Sequence, residues 1–157
     1  MESRKEAYIL AIHYEIKSQN LYRSLAKSFK QENVSRTFLN LVPLEEMHEE
    51  KLRDGFQREF PNETLAIDEE KVKHDVPADI VNDPKSILEF AVGREELAHE
   101  AYLRLAQGCV HADMKELFLQ FAEEESNHKT ILQTEIQRIQ GLISWYDPSE
   151  LNGLVEE

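Results

Sequence analysis

The chain has few of the residues that interrupt or cross-link a polypeptide: one cysteine, five glycines and five prolines in 157 residues. The single cysteine, Cys109, excludes an intramolecular disulfide and any Cys-x-x-Cys metal or redox centre, which is typical of a cytoplasmic protein. No apolar run approaches the roughly 18 residues of a membrane-spanning helix, and charges replace the apolar core of a signal peptide near the N-terminus. We therefore expect a cytoplasmic protein without a membrane segment.

Basic residues are also few. The chain contains 31 acidic and 18 basic residues, which gives a formal net charge of −13. This charge repels nucleic-acid phosphates and anionic lipid surfaces, so we expect neither nucleic acid nor a membrane to be a partner. Most of these acids are expected to solvate the outer faces of helices.

The spacing of apolar residues predicts helices. Apolar residues recur at spacings of three and four over long segments, which predicts an all-α fold. Ser3-x-x-Glu6 and Asp113-x-x-Glu116 have the pattern of capping boxes that open helices. We predict one domain, 1–157, in which a long crossover joins two antiparallel helix hairpins as a four-helix bundle. The predicted helices are about 3–29, 34–60, 84–106 and 113–141, the crossover is 61–83 and the tail is 144–157.

The two halves of the chain match each other at an offset of 80 residues. Each half has a glutamate on its first helix and a Glu-x-x-His motif on its second. The i, i+3 spacing of that motif places the carboxylate and the imidazole on one helix face. The matched positions are Glu15 and Glu95, Glu45 and Glu125, and His48 and His128.

These six residues form a predicted ligand set for two metal ions. In each half the two glutamates are 30 residues apart around the predicted turn, so they lie at one height in an antiparallel hairpin. Four buried carboxylates would repel one another, and two divalent cations would balance their charge. Oxygen-rich ligands without a thiolate favour iron or manganese, although zinc can also bind. Nothing in the sequence indicates haem, flavin or a nucleotide.

On these residues the chain resembles, over about 4–140, the ferritin-like di-iron carboxylate family, and within it the rubrerythrin branch. The resemblance implies a ferritin-like bundle, a carboxylate-bridged di-iron centre and reaction with peroxide or dioxygen. Rubrerythrins also carry a rubredoxin-like site of four cysteines, which this sequence lacks, so we expect an external, rubredoxin-like electron donor. They have a further glutamate three residues after the ligand of the third helix. Ala98 stands there in this chain, which argues against their redox-linked metal movement.

Three residues near the predicted ligands are candidates for supporting roles. Tyr22 and Tyr102, each seven residues after the glutamate of its helix, are expected either to hydrogen-bond a ligand carboxylate or bound oxygen species, or to be aromatic core. His99, four residues after Glu95, is either an extra ligand, a donor to a ligand or a packed histidine.

Other flanking residues are predicted to be less direct. Glu46 and Glu124 are expected to face solvent. Pro43 removes a helical hydrogen bond beside the site and either opens a ligand position or is merely tolerated. Trp145 and Tyr146 in the predicted tail suggest a packing surface, either for a homodimer or for the chain's own bundle.

The sequence leaves several functions open. The first is a di-iron oxidoreductase that reduces hydrogen peroxide with electrons from an external carrier. The second is an iron-binding ferroxidase for iron storage or detoxification. The third is an oxygen-dependent hydroxylase, which needs an apolar substrate pocket beside the metals. The fourth is a helical bundle without enzymatic activity.

Overall fold

The structure, a computed structural model, describes residues 3–29, 32–73 and 83–145, with the backbone alone at residue 33 and residues 142–145. Within these residues there are four helices and no strand, which confirms the predicted all-α bundle. None of these helices has the length and apolarity to cross a membrane. The helices are α1 (Arg4–Ser28), α2 (Glu32–Glu59), α3 (Pro84–Gln107) and α4 (Ala112–Trp145).

The helices pack as two hairpins, α1 with α2 and α3 with α4, and α1 also lies along α3. Their buried apolar residues form two separate clusters, one towards each end of the bundle. Tyr8 and Phe118 belong to the first cluster, whereas Phe38 and Leu88 belong to the second. Between the clusters, every helix contributes buried polar side chains to one layer. The apolar ends therefore keep bulk water away from a polar middle.

The helix ends agree with some capping predictions and correct another. Ser3 and Glu6 form the predicted capping box of α1. The predicted box at Asp113 is wrong, because α4 already begins at Ala112 and its first turn includes Asp113. The carboxylate of Asp113 instead pairs with Arg58 of α2, with Nη1 and Oδ2 2.7 Å apart. An acidic residue in the first turn still favours the helix dipole.

Helix α4 is longer than predicted. It continues through Gly141 to Trp145, so the first residues of the predicted tail are helical. The rest of that tail, with Tyr146, lies outside the described residues. The prediction that the tail forms a packing surface for a homodimer stays a prediction.

The described part of the crossover covers one side of the first hairpin. Leu65 and Ile67 pack against the first apolar cluster, and Val72 is buried. Asn20 of α1 donates a hydrogen bond from Nδ2 to the carbonyl oxygen of Val72, at 2.8 Å. Residues 74–82 lie outside the described residues. The crossover thus gives the two halves of the repeat different surroundings.

Candidate metal centre

The six residues predicted as metal ligands lie together in the polar layer between the two apolar clusters. All four helices contribute, because each helix has its glutamate at the height predicted from the hairpin geometry. The side chains are almost completely shielded, from no exposure at all to 4% for one histidine. They are Glu15 of α1, Glu45 and His48 of α2, Glu95 of α3, and Glu125 and His128 of α4.

These side chains form two overlapping groups of four. In each group, the candidate ligand atoms all lie within 4.8 Å of one another. Glu45 and Glu125 belong to both groups, so their carboxylates are placed to bridge two ions. Glu15 completes the first group with His48, and Glu95 completes the second with His128. The arrangement has the pseudo-two-fold symmetry expected from the repeat.

Each imidazole turns its Nδ1 atom towards the carboxylates. In His48, Nδ1 lies 2.7 Å from Oε1 of Glu125 and 3.5 Å from Oε2 of Glu15. In His128, Nδ1 lies 3.1 Å from Oε1 of Glu45 and 3.7 Å from Oε2 of Glu95. Both Nδ1 atoms nevertheless have no aligned hydrogen bond among the described residues. One imidazole nitrogen and several carboxylate oxygens therefore converge in each group.

Buried polar atoms without a hydrogen-bond partner indicate whether the layer suits cations. Buried polar atoms without partners are costly, and proteins normally avoid them. Here eight such atoms, counted over the described residues, belong to the six candidate ligands. All of them are carboxylate oxygens or Nδ1 atoms, which are electron-pair donors, and metal coordination would satisfy them together. The donor set fits two divalent ions.

The pKa values of the candidate ligands also indicate a layer suited to cations. Burial, together with neighbouring carboxylates, raises the pKa of Glu15 and of Glu125 well above the usual range. Burial opposes protonation of the histidines, but the surrounding carboxylates outweigh it and raise the pKa of His48 to about 9 and that of His128 to about 10. Burial would likewise raise the pKa of Glu95, yet contacts with Glu125 and His128 lower it overall. The layer thus holds positive charge strongly, and protons and metal ions compete for it.

Two tyrosines hold the carboxylates that belong to only one group. Tyr102 of α3 donates its hydroxyl to Oε1 of Glu15, at 2.8 Å, and Tyr22 of α1 donates to Oε1 of Glu95. Burial raises the pKa of both phenols well above 10, so they remain proton donors. Of the alternatives left open by the sequence, the structure places both hydroxyls on candidate ligands. A catalytic role for them stays a prediction.

Glu124 is a site residue that the sequence prediction placed wrongly. Its Oε2 lies 2.6 Å from Nε2 of His48, on the opposite helix hairpin, although the glutamate was expected to face solvent. Because a carboxylate accepts hydrogen bonds, Nε2 carries a proton, so that in the neutral ring, the form that binds metal, Nδ1 has its lone pair towards the carboxylates. The internal repeat does not predict this contact, since Leu44 occupies the matching position in the first half. Glu46 does face solvent, where it pairs with Arg23 at 3.5 Å.

The structure does not bring His99 into either group of candidate ligands. Its Nδ1 lies 2.7 Å from the carbonyl oxygen of Ala122, so the ring spans from α3 to the backbone of α4. This contact holds the ring against the α4 backbone, and His99 belongs to neither group. Pro43 is exposed within a continuous α2, so it faces away from the layer. Ala98 is buried and adds no ligand.

Comparisons with known proteins agree with this geometry. The sequence model of the rubrerythrin family matches residues 9–136, which include all six candidate ligands, and matches residues 86–150 a second time. No curated protein matches the chain significantly.

Two solved structures share the fold. A hypothetical protein from Pyrococcus furiosus is 26% identical, with a TM-score of 0.76 over 88% of this chain and 91% of that one. An uncharacterized conserved protein from Magnetospirillum magnetotacticum is 20% identical, with a TM-score of 0.66 over 87% of this chain and 95% of that one. The second similarity concerns the fold alone.

Proposed function

Because the chain belongs to the rubrerythrin family, we propose that its buried layer binds two metal ions, iron above all, and that it reduces hydrogen peroxide with external electrons. The observation that carries the proposal is the set of unpaired ligand atoms in two overlapping groups. A purely structural bundle would gain nothing from burying these donors. Manganese fits the same ligands, so metal analysis of protein from its native host is part of the test.

The protein's own residues would position the two metal ions and exclude water from them. Two redox-active ions bound in this layer would together supply the two electrons that peroxide reduction needs. Glu45 and Glu125 would hold both ions, since each belongs to both groups. Phe121 packs on the ring of His48, with centroids 4.1 Å apart, and shields it from water. The phenol of Tyr22 is a proton donor within reach of a candidate ligand.

Electron supply requires a partner. These 157 residues contain one cysteine, so a rubredoxin-like site of four cysteines must lie outside them. Cys109 does not substitute for it, because its Sγ lies 3.3 Å from the carbonyl oxygen of His111 and not in the polar layer. We therefore propose that a rubredoxin-like site outside these residues donates the electrons.

Ferroxidase activity is the second candidate, and one observation favours it: glutamates line a cavity that reaches Glu95. An acidic approach suits iron as a substrate as well as a cofactor. The same lining is unfavourable for a hydroxylase, because organic substrates are held mainly by apolar walls.

The experiment begins with anaerobic titration of the metal-free protein with ferrous iron. We expect two ions per chain, followed by rapid reoxidation of the reduced protein by stoichiometric peroxide. Glu45→Ala and Glu125→Ala should abolish paired binding, whereas Glu46→Gln, one residue from a ligand but exposed, should not. Oxidation by dioxygen alone, with ferrous iron consumed well beyond two ions per chain, would replace peroxide reduction by the ferroxidase function.

A further inference from the structure

A cavity of about 240 Å³ lies between α3 and α4, on the side of the second ligand group. Its lining includes Glu95, whose side chain is fully buried and whose Oε2 has no hydrogen-bond partner among the described residues. Glu96 and Glu100 on the same helix are exposed. The cavity therefore lies between the protein surface and a candidate ligand. Its lining residues are Glu95, Glu96, His99, Glu100, Ser126 and Lys129.

On the matching side of the first hairpin, hydrogen bonds tie the equivalent residues together. At the repeat positions of His99 and Lys129, Gln19 and Glu49 hydrogen-bond each other, with Nε2 and Oε1 2.9 Å apart. At the repeat position of Glu100, Asn20 is bound to the crossover through the carbonyl oxygen of Val72. The crossover thus covers the approach to the first group and leaves the approach to the second group uncovered by its described residues.

We propose that divalent metal ions enter the centre through this cavity and reach the second ligand group before the first. The inference rests on the proposed function, since it concerns how the same site is loaded. Three glutamates and one lysine line the cavity, so the charge of its wall favours cations over anions. A metal ion would pass from exposed Glu100 to buried Glu95, exchanging water for carboxylate oxygens along the way.

Two side chains are suited to control this passage. Lys129 pairs with Glu96, Nζ to Oε1 at 2.9 Å, and its ammonium group repels an entering cation. Because Glu95 has no exposed surface, side chains must move before an ion can reach it, and the lysine has the long flexible stem for that movement. His99 uses Nδ1 for the Ala122 carbonyl, which leaves Nε2 as the ring atom with a lone pair. That nitrogen is available to hold an ion in transit.

The test is the rate at which the full chain, freed of metal by chelation, takes up Co²⁺, followed by the visible absorbance of the bound ion in a stopped-flow instrument. Glu100→Gln should slow uptake and Lys129→Gln should accelerate it, each on the order of threefold at low salt, with the effect fading as salt is added. Ser126→Trp should slow uptake by filling the cavity. The control is Glu50→Gln, which removes an exposed charge of α2 away from the cavity and should leave the rate unchanged.

The opposite signs expected for two surface variants keep the test independent of folding defects. Equal uptake rates for the wild type, Glu100→Gln and Lys129→Gln would overturn the entry route. Equal slowing by Glu50→Gln and Glu100→Gln would also overturn it, because general surface charge would then explain the rates.

The equilibrium stoichiometry, measured on the same samples, separates the two proposals. Two ions per chain with unaltered rates would refute the route alone. A wild-type protein that binds no paired ions would refute the proposed function and the route with it.

Discussion

The hydroxyl of Tyr102 on α3 donates a hydrogen bond of 2.8 Å to Oε1 of Glu15 on α1, across the interface between the two hairpins. Tyr22 and Glu95 make the contact related to it by the pseudo-two-fold symmetry. In each pair one carboxylate oxygen is held by the phenol, while the other, Oε2, has no partner among the described residues. A single contact therefore joins the hairpins and points a free oxygen into the candidate metal layer.

Loss of either phenol should weaken one ligand group. We expect Tyr102→Phe to lower metal affinity at the group containing Glu15, and Tyr22→Phe at the group containing Glu95, each by about 10 to 100-fold. Isothermal titration with Fe²⁺ under argon measures both affinities. Tyr14→Phe is the control, because Tyr14 is only half-buried and stacks with Arg94. Two unaltered binding isotherms would show that the hydrogen bonds do not orient the ligands.

Removal of Glu124 should affect one histidine and spare the other. Without this acceptor, the Nε2 proton of His48 is no longer favoured, and Nδ1 is less often free to bind metal. Glu124→Ala should therefore lower affinity at the first group about tenfold, with a change in the ¹⁵N resonances of the His48 ring. Glu123→Ala, at the exposed neighbouring position, should change neither. Equal perturbation of His48 and His128 would contradict a tautomer fixed by Glu124.

The metal-free protein should lose stability as pH rises. A histidine whose pKa is higher in the folded state stabilises the fold below its unfolded pKa, roughly 6.5. That stabilisation disappears as the pH passes the folded values, about 9 for His48 and about 10 for His128. The raised pKa values of Glu15 and Glu125 act in the same direction from lower pH. Melting curves of chelated protein between pH 6 and about 10 measure the effect.

Metal should reverse this trend, since ligation requires deprotonated imidazoles. Bound at a thousandfold excess over its Kd, an ion adds about 4 kcal/mol to the free energy of unfolding, or about 8 to 16 °C in Tm for a chain of this length. The gap between loaded and chelated protein should therefore widen with pH. Chelated protein that melts higher at pH 9 than at pH 6 would refute the charge coupling.

Two helical glycines should respond differently to substitution by alanine. Gly93→Ala should stabilise α3 by about 0.5 to 1 kcal/mol, because nothing lies within 4 Å of an added Cβ and alanine is the better helix former. At Gly55 the added Cβ would lie 2.6 Å from Cε of Met114 and 3.0 Å from the hydroxyl of Tyr8. Urea denaturation should show no gain for Gly55→Ala. A similar gain in stability for both variants would show that the side chains of Tyr8 and Met114 move aside without cost.

Most of the correct predictions from the sequence rest on helical periodicity. The period of 3.6 residues and the equal distances from the turns set the heights of Glu15, Glu45, Glu95 and Glu125, and the structure places all four in one layer. Capping follows equally local rules, yet α4 begins one residue before the predicted position. That small shift suffices to turn Asp113 from a cap into a partner of Arg58.

The sequence by itself determined the helices, the repeat and the six candidate ligands, because helix geometry is local and a fixed spacing fixes a face and a height. Only the tertiary structure decided which neighbours serve those ligands. Glu124 reaches His48 across the two hairpins, and His99 reaches the Ala122 carbonyl on the neighbouring helix of its own hairpin. Both contacts depend on how the helices rotate against each other. The route of the crossover, which no repeat encodes, covers one half of the centre, and its described residues do not cover the cavity beside the other half.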